Sequence, residues 1–182
     1  MTPDERLAEL AAADAAGEPI DLLPFRGHKP TADGSLGTGC LSQWWPATIT
    51  VDGIDYPTAE HWMMAGKARL FGDDAGLAAV LAAAGPGAAK AAGRKVTPFD
   101  GDRWARAGYG IVVEGNLAKF GQHPELRAFL LGTGRRVLVE ASPFDRIWGI
   151  GMGPTNPAVS HPTAWRGRNL LGFALMEVRD RL

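Results

Sequence analysis

Residues 47–72 read ATITVDGIDYPTAEHWMMAGKARLFG, and the two halves of this stretch follow different periods. Ile49, Val51, Ile54 and Tyr56 alternate around Asp52-Gly53, a dipeptide suited to a two-residue turn, so the first half predicts a β-hairpin. From Thr58 the alternation stops. Thr58 after Pro57 suits an N-cap and Gly72 a C-terminal stop, which frames a helix between them. At about 100° per residue, Met63, Met64, Leu70 and Phe71 fan over one face, with Trp62, Ala65 and Arg69 on the other. Glu60 and Lys67 fall inside the apolar fan, within about 20° of one another and roughly 10 Å apart along the axis. Buried charge is costly unless paired or used, so this placement calls for a reason.

The pattern continues outward as helices. Asp73 or Asp74 caps a short Ala-rich helix running to about Ala84, and Pro86 opens another that ends near Gly93. A longer helix starts near Asp102, though Gly108 and Gly110 weaken it. HPELRAFLLGTG is a compact helix with a Gly stop, RRVLVEAS (135–142) is the best buried strand, and NLLGFALMEVRDRL closes the chain as an amphipathic helix. Residues 24–39 read as a long Gly- and Pro-punctuated loop. With helices outnumbering strands and no βαβ rhythm, the expectation is α+β: a helix-rich single domain with a β-hairpin and a few short strands. Residues 1–22 read as an Ala- and acid-rich N-terminal extension, helical or frayed, and residues 23–182 as the domain.

The totals exclude several classes. At 182 residues the chain can bury a real core, and 46% hydrophobic with 21% charged residues is the balance of a globular protein. A net charge of −1 advertises neither nucleic acid nor a membrane surface. A single cysteine, Cys40, rules out an internal disulfide framework, and no apolar run is long enough to span a membrane. MTPDERLAEL is too acidic for a signal peptide, so the cytoplasm is the expected location. His28, His61, His123 and His161 lack metal-ligand spacing, so no metal is expected. Ser42, Ser142 and Cys40 have no nucleophile-elbow context.

Two segments can carry chemistry, and each has a bland reading beside the functional one. Glu60 and Lys67 either snorkel from a partly exposed helix or line a cleft. Apolar walls there would raise the carboxylate pKa and lower the amine pKa. The segment EASPFDRIWGIGMG (140–153) sends a buried strand into a loop with Asp145, Arg146, Trp148 and three glycines, among them Gly149. Such a loop can bring backbone N–H groups to a phosphate and a ring to a base. Equally, Asp145 can cap backbone amides while Trp148 fills the core. Lys90, Arg94, Arg103 and Lys119 are candidate phosphate ligands in a class of residue that is mostly solvated. Trp44, Trp45 and Trp104 are more often core than platform.

Taken together, LSQWWPATITVDGIDYPTAEHWMMAGKARLFGD, GRKVTPFDGDRWARAGYGIVVEGNLAKF, LVEASPFDRIWGIG and WRGRNLLGFALMEVR resemble the NADAR (YbiA-like) family in order and spacing over roughly residues 23–182. The resemblance implies a small α+β fold and hydrolysis of ribosyl N-glycosidic bonds, with no cofactor. The implied partners are small molecules: phosphoribosylamino-pyrimidine intermediates of riboflavin synthesis, or ADP-ribose on guanine, the latter also in single-stranded DNA. It further implies Glu60, Lys67 and Asp145 as catalytic residues and Trp104 and Trp148 as substrate contacts. Trp45, Arg94, Lys119, Arg146 and Gly149 complete the candidate binding set. Many relatives carry Gln-rich residues before the lysine where this chain has MMAG. The lysine stays in register, so the departure bears on substrate preference.

Overall fold

The computed structural model describes residues 1–182 and is a helix-rich α+β fold with a β-hairpin and one further pair of short strands. By internal packing it divides into two compact units, Gln43–Arg127 and Met1–Ser42 together with Ala128–Leu182. No helix is long and apolar enough to cross a membrane.

In the Gln43–Arg127 unit, β1 (Ile49–Val51) and β2 (Ile54–Tyr56) form the antiparallel hairpin, pairing Ile49 with Tyr56 and Val51 with Ile54. Asp52 and Gly53 both take positive φ, 52° and 75°, the geometry of the turn that Asp-Gly favours. The Gln122 side-chain amide pairs with both the N–H and the C=O of Thr50, each at 2.9 Å.

Helix α1 (Ala59–Phe71) is capped as its residues predict. The Thr58 hydroxyl accepts the His61 N–H, and Gly72 closes the helix in the left-handed region at φ 68°. Its faces are not divided as the periodicity implies. Ala65 is fully buried beside Glu60, His61, Met63, Met64, Ala68 and Phe71, and Trp62 donates from Nε1 to the Ile111 carbonyl at 2.8 Å. The helix is enclosed because its neighbours are notched with glycine. A Cβ on Gly115 would lie 2.2 Å from the Trp62 ring, and one on Gly93 would lie 2.1 Å from the Met64 sulfur. Helices α2 (Asp74–Leu81), α3 (Pro86–Gly93) and α4 (Gly101–Gln122) pack around it in this unit. The last runs unbroken through Gly108 and Gly110: Gly108 is buried against the Trp104 ring, while Gly110 is exposed and only carries the propensity cost of a glycine, about 1 kcal/mol, within a long packed helix. Helix α5 (Pro124–Gly132) spans the sequence boundary between the units.

The other unit contains a strand that the sequence pattern does not announce. Leu22–Phe25 forms β3 and pairs in parallel with β4 (Val137–Glu140), Leu22 opposite Val137 and Phe25 opposite Glu140. Its closing half, Pro24–Phe25, belongs to the stretch 24–39 that reads as loop in the sequence; a proline is tolerated in a strand without a ladder bond on that side. Helix α6 (Leu170–Arg181) packs on β4 and is almost entirely buried through Val178. Ahead of it Asn169, at φ 54° and fully buried, accepts the Glu140 N–H and donates to the Leu138 carbonyl, both at 2.9 Å. One side chain thereby satisfies β4 where no strand pairs with it. Residues Pro3–Ala15 form a helix, α0, closed at its start by a Thr2 and Glu5 capping box.

Candidate functional site

Lys67 projects from the last turns of α1 into an aromatic corner. Its ammonium donates to the Gly93 carbonyl at 2.9 Å and lies 4.3 Å from the centre of the Phe99 ring and 5.8 Å from that of Trp104. Phe99 in turn tilts against Phe71 at 5.2 Å, and the Arg103 guanidinium lies 5.7 Å from the Phe71 ring. No carboxylate is within ion-pairing distance of Lys67. Burial of the side chain holds its pKa below that of an ordinary lysine. A half-buried amine of this kind, facing two rings and one carbonyl, can bind anions, stabilise developing negative charge or act as a nucleophile.

Glu60 occupies the first turn of the same helix and is 5% exposed. Its N–H donates to the Gln43 carbonyl at 3.0 Å. Helical geometry places Glu60 and Lys67 on one face about 10 Å apart along the axis. The Gln43 side chain accepts a bond at 2.8 Å from Asn116, which also donates to the Val112 carbonyl. The remaining Asn116 oxygen, Oδ1, is buried with no hydrogen-bond partner. His61, fully buried, sits between the Thr58 hydroxyl at 2.8 Å and the Ala83 carbonyl at 3.2 Å. The carbonyl can only accept, so Nε2 carries the proton and Nδ1 takes the Thr58 hydroxyl. Burial lowers the His61 pKa, and the bond to Ala83 partly opposes that shift.

The structure places the Lys67 ammonium near Trp104, together with Phe99 and the Gly93 carbonyl. The only sequence sign of Phe99 is a lone aromatic in the polar, Pro-punctuated run VTPFDGD, which reads as loop. Trp104 is half-buried and folds back over Gly108 of its own helix. Arg94 is exposed beside Gly93, and Trp45 is half-buried. Lys119 departs from the expectation of a solvated cation: it is fully buried, with its ammonium 4.9 Å from the Phe120 ring.

Asp145, Arg146, Trp148 and Gly149 belong to the other unit. The Asp145 Oδ1 accepts the N–H groups of Ile147 and Trp148 at 2.9 and 2.8 Å, the amide-capping role. Much of the predicted phosphate cradle is spent on the turn itself. The Ile150 N–H goes to the Glu140 carbonyl and the Gly151 N–H to that of Asp145. Gly149 serves close packing, since a Cβ there would lie 2.8 Å from the Glu140 carbonyl oxygen. Arg146 is exposed and Trp148 half-buried.

These features fall within a recognised class. The family model described as the NADAR domain matches residues 28–182. N-glycosidase R617 of Acanthamoeba polyphaga mimivirus is 41% identical over 150 residues, which is 79% of this chain and 88% of that protein. N-glycosidase YbiA of Escherichia coli K12 is 35% identical over 138 residues, 76% of each chain. The NMR structure of E. coli YbiA superposes with a TM-score of 0.68 at 29% identity, covering 90% of this chain and 86% of that one. The chain belongs to the NADAR family, and by class it is an enzyme, a hydrolase acting on N-glycosyl bonds.

Proposed function

We propose that this chain hydrolyses the C1′–N bond of a ribosylated base, with Glu60 in proton transfer and Lys67 as the covalent nucleophile or its electrostatic partner. The observation that carries the reading is the half-buried, carboxylate-free ammonium of Lys67 on the same helical face as the buried Glu60. Breaking a ribosyl C–N bond builds positive charge on the sugar and negative charge on the departing base. A carboxylate near C1′ stabilises the first or activates water, and a proton donor assists departure of the base. In the covalent branch the neutral Lys67 amine adds to C1′ of the ring-opened ribosyl imine, the C1′–N bond to the base breaks as the base leaves with a proton, and water then hydrolyses the resulting Lys67 Schiff base to free sugar and free amine. Trp104 supplies a face for the base. The resemblance supports Asp145 and Trp148 as further substrate contacts; the Asp145 Oδ1 is engaged by the Ile147 and Trp148 N–H groups, which leaves Oδ2 as the oxygen for a ribose hydroxyl. The substrates that fit are ADP-ribosyl-guanine and phosphoribosylamino-pyrimidines.

The test is hydrolysis of both substrate types by the purified chain, with borohydride added during turnover. A reduced adduct on Lys67 supports the covalent branch, and turnover without any adduct assigns Lys67 to the electrostatic role. Glu60→Gln is expected to bind substrate without turning it over. Full turnover by Glu60→Gln, or by Lys67→Ala, would overturn the assignment of that residue.

A further inference from the structure

Helix α0 lies outside residues 28–182, the part shared with the family model, and it is attached in an unusual way. None of its residues is fully buried, although Leu7, Leu10 and Ala11 are half-covered. A helix of 13 residues is marginal on its own in water, so contacts made elsewhere must hold it. Two carboxylates provide them. Asp4 accepts from Arg168 through both oxygens, at 2.8 and 2.9 Å. Asp14 accepts the Thr163 N–H at 3.0 Å, the Thr163 hydroxyl and the His161 ring at 3.1 Å. In the last turn of a helix an aspartate opposes the helix dipole, and this turn has no basic residue to offset it. Position 14 is therefore poor for helix formation and well placed for gripping residues 161–163.

The gripped residues, 161–163 and Arg168, run into the segment that partners the Asp145 turn. The carbonyls of Arg146, Ile147, Trp148, Gly149 and Ile150 are each taken by an N–H from 166–171: those of Arg168, Leu170, Leu171, Asn169 and Arg166 respectively. The approach leaves no room between the two backbones, since a Cβ on Gly167 would fall 2.3 Å from the Gly149 carbonyl oxygen. A shift of 166–168 must therefore pass directly to 146–150.

We propose that α0 is a strap, in which Asp4 and Asp14 hold residues 161–168 and thereby set the turn that carries Asp145. Asp14 is a positioning residue that touches no substrate. The burial of its Thr163 and His161 contacts is shallow, so the strap is one that a change in charge or salt can loosen. The link to turnover rests on the reading of Asp145 as a substrate contact; the mechanical link does not.

The test uses the full chain carrying Asp4→Asn with Asp14→Asn. Amide exchange at Arg166, Arg168, Asn169, Ile147 and Trp148 should quicken by about tenfold or more, the scale expected for losing charge-assisted bonds. Exchange at Leu138 and Leu175 in the core should not change. KM should rise more than kcat falls, and Asp14→Glu should restore part of the loss. Unchanged exchange at the five amides, or equal acceleration at Leu138 and Leu175, overturns the strap. Asp145→Asn separates the two readings. If it keeps full turnover, the assignment of Asp145 fails and the strap is decided by exchange alone. If it loses turnover while the strap variant exchanges faster at unchanged KM, the positioning role is wrong.

Discussion

Lys67→Met separates a reacting lysine from a structural one. The ammonium makes one charged hydrogen bond, to the Gly93 carbonyl, and stands over the Phe99 ring. The bond contributes about 1.5–3 kcal/mol, and the ring about 0.5–1 kcal/mol. Together these favour the folded state by about 2–4 kcal/mol. Opposing them is the desolvation of an ammonium with no carboxylate beside it, several kcal/mol when burial is complete. Half-burial brings that penalty into the same range of about 2–4 kcal/mol. Methionine keeps the apolar stem and removes both sides of the balance. The expected change in unfolding free energy is within about 1 kcal/mol of zero, read from urea denaturation followed by tryptophan fluorescence. Turnover, read by chromatography of the released base, should fall by at least about 100-fold. A loss of stability above about 2 kcal/mol with turnover retained would refute the reasoning. It would make Lys67 an anchor for the C-terminal end of α3.

Burial depresses the Lys67 pKa, so the covalent branch predicts a rate that rises with pH through an apparent pKa below the ordinary 10.5. A flat profile up to that value contradicts a nucleophilic amine. The stability linkage has a definite sign. The folded state binds the Lys67 proton less tightly than the unfolded state, so stability grows as pH rises through the folded pKa toward 10.5. Comparing the pH slope of the wild type with that of Lys67→Met isolates this contribution. In the other unit, Gly172→Ala should cost about 3 kcal/mol or more. Its Cβ would lie 2.0 Å from the Leu138 carbonyl oxygen and 2.6 Å from the Asn169 amide. Gly110→Ala meets nothing within 4 Å and should stabilise by about 0.5–1 kcal/mol, so equal effects in a thermal melt would contradict the packing argument.

Legibility in the sequence followed the range of the interaction. Thr58, Gly72 and Asp52-Gly53 act on their own neighbours, and the structure places caps and turn where those residues predict them. β3 was not legible because its partner β4 lies more than a hundred residues away and Pro24 masks its pattern. The enclosure of α1 was hidden for a similar reason: what admits Trp62 and Met64 is glycine on other helices. In the site, the shared face of Glu60 and Lys67 could be read from spacing alone. Phe99 and the Gly93 carbonyl could not, since both arrive from segments with no periodic signature. The loop glycines suggested an open cradle, and the carbonyl-by-carbonyl pairing with 166–171 could not be foreseen from composition.

Because Glu60 and Lys67 hang from one unbroken helix, their separation is a caliper setting of about 10 Å maintained by backbone hydrogen bonds. Loop variation elsewhere leaves that setting alone. One residue inserted between them would swing Lys67 by about 100° and close the caliper on nothing. The number of residues between the two, HWMMAG here, sets that gauge, and Trp62 and Met64 among them are seated in the notches at Gly115 and Gly93.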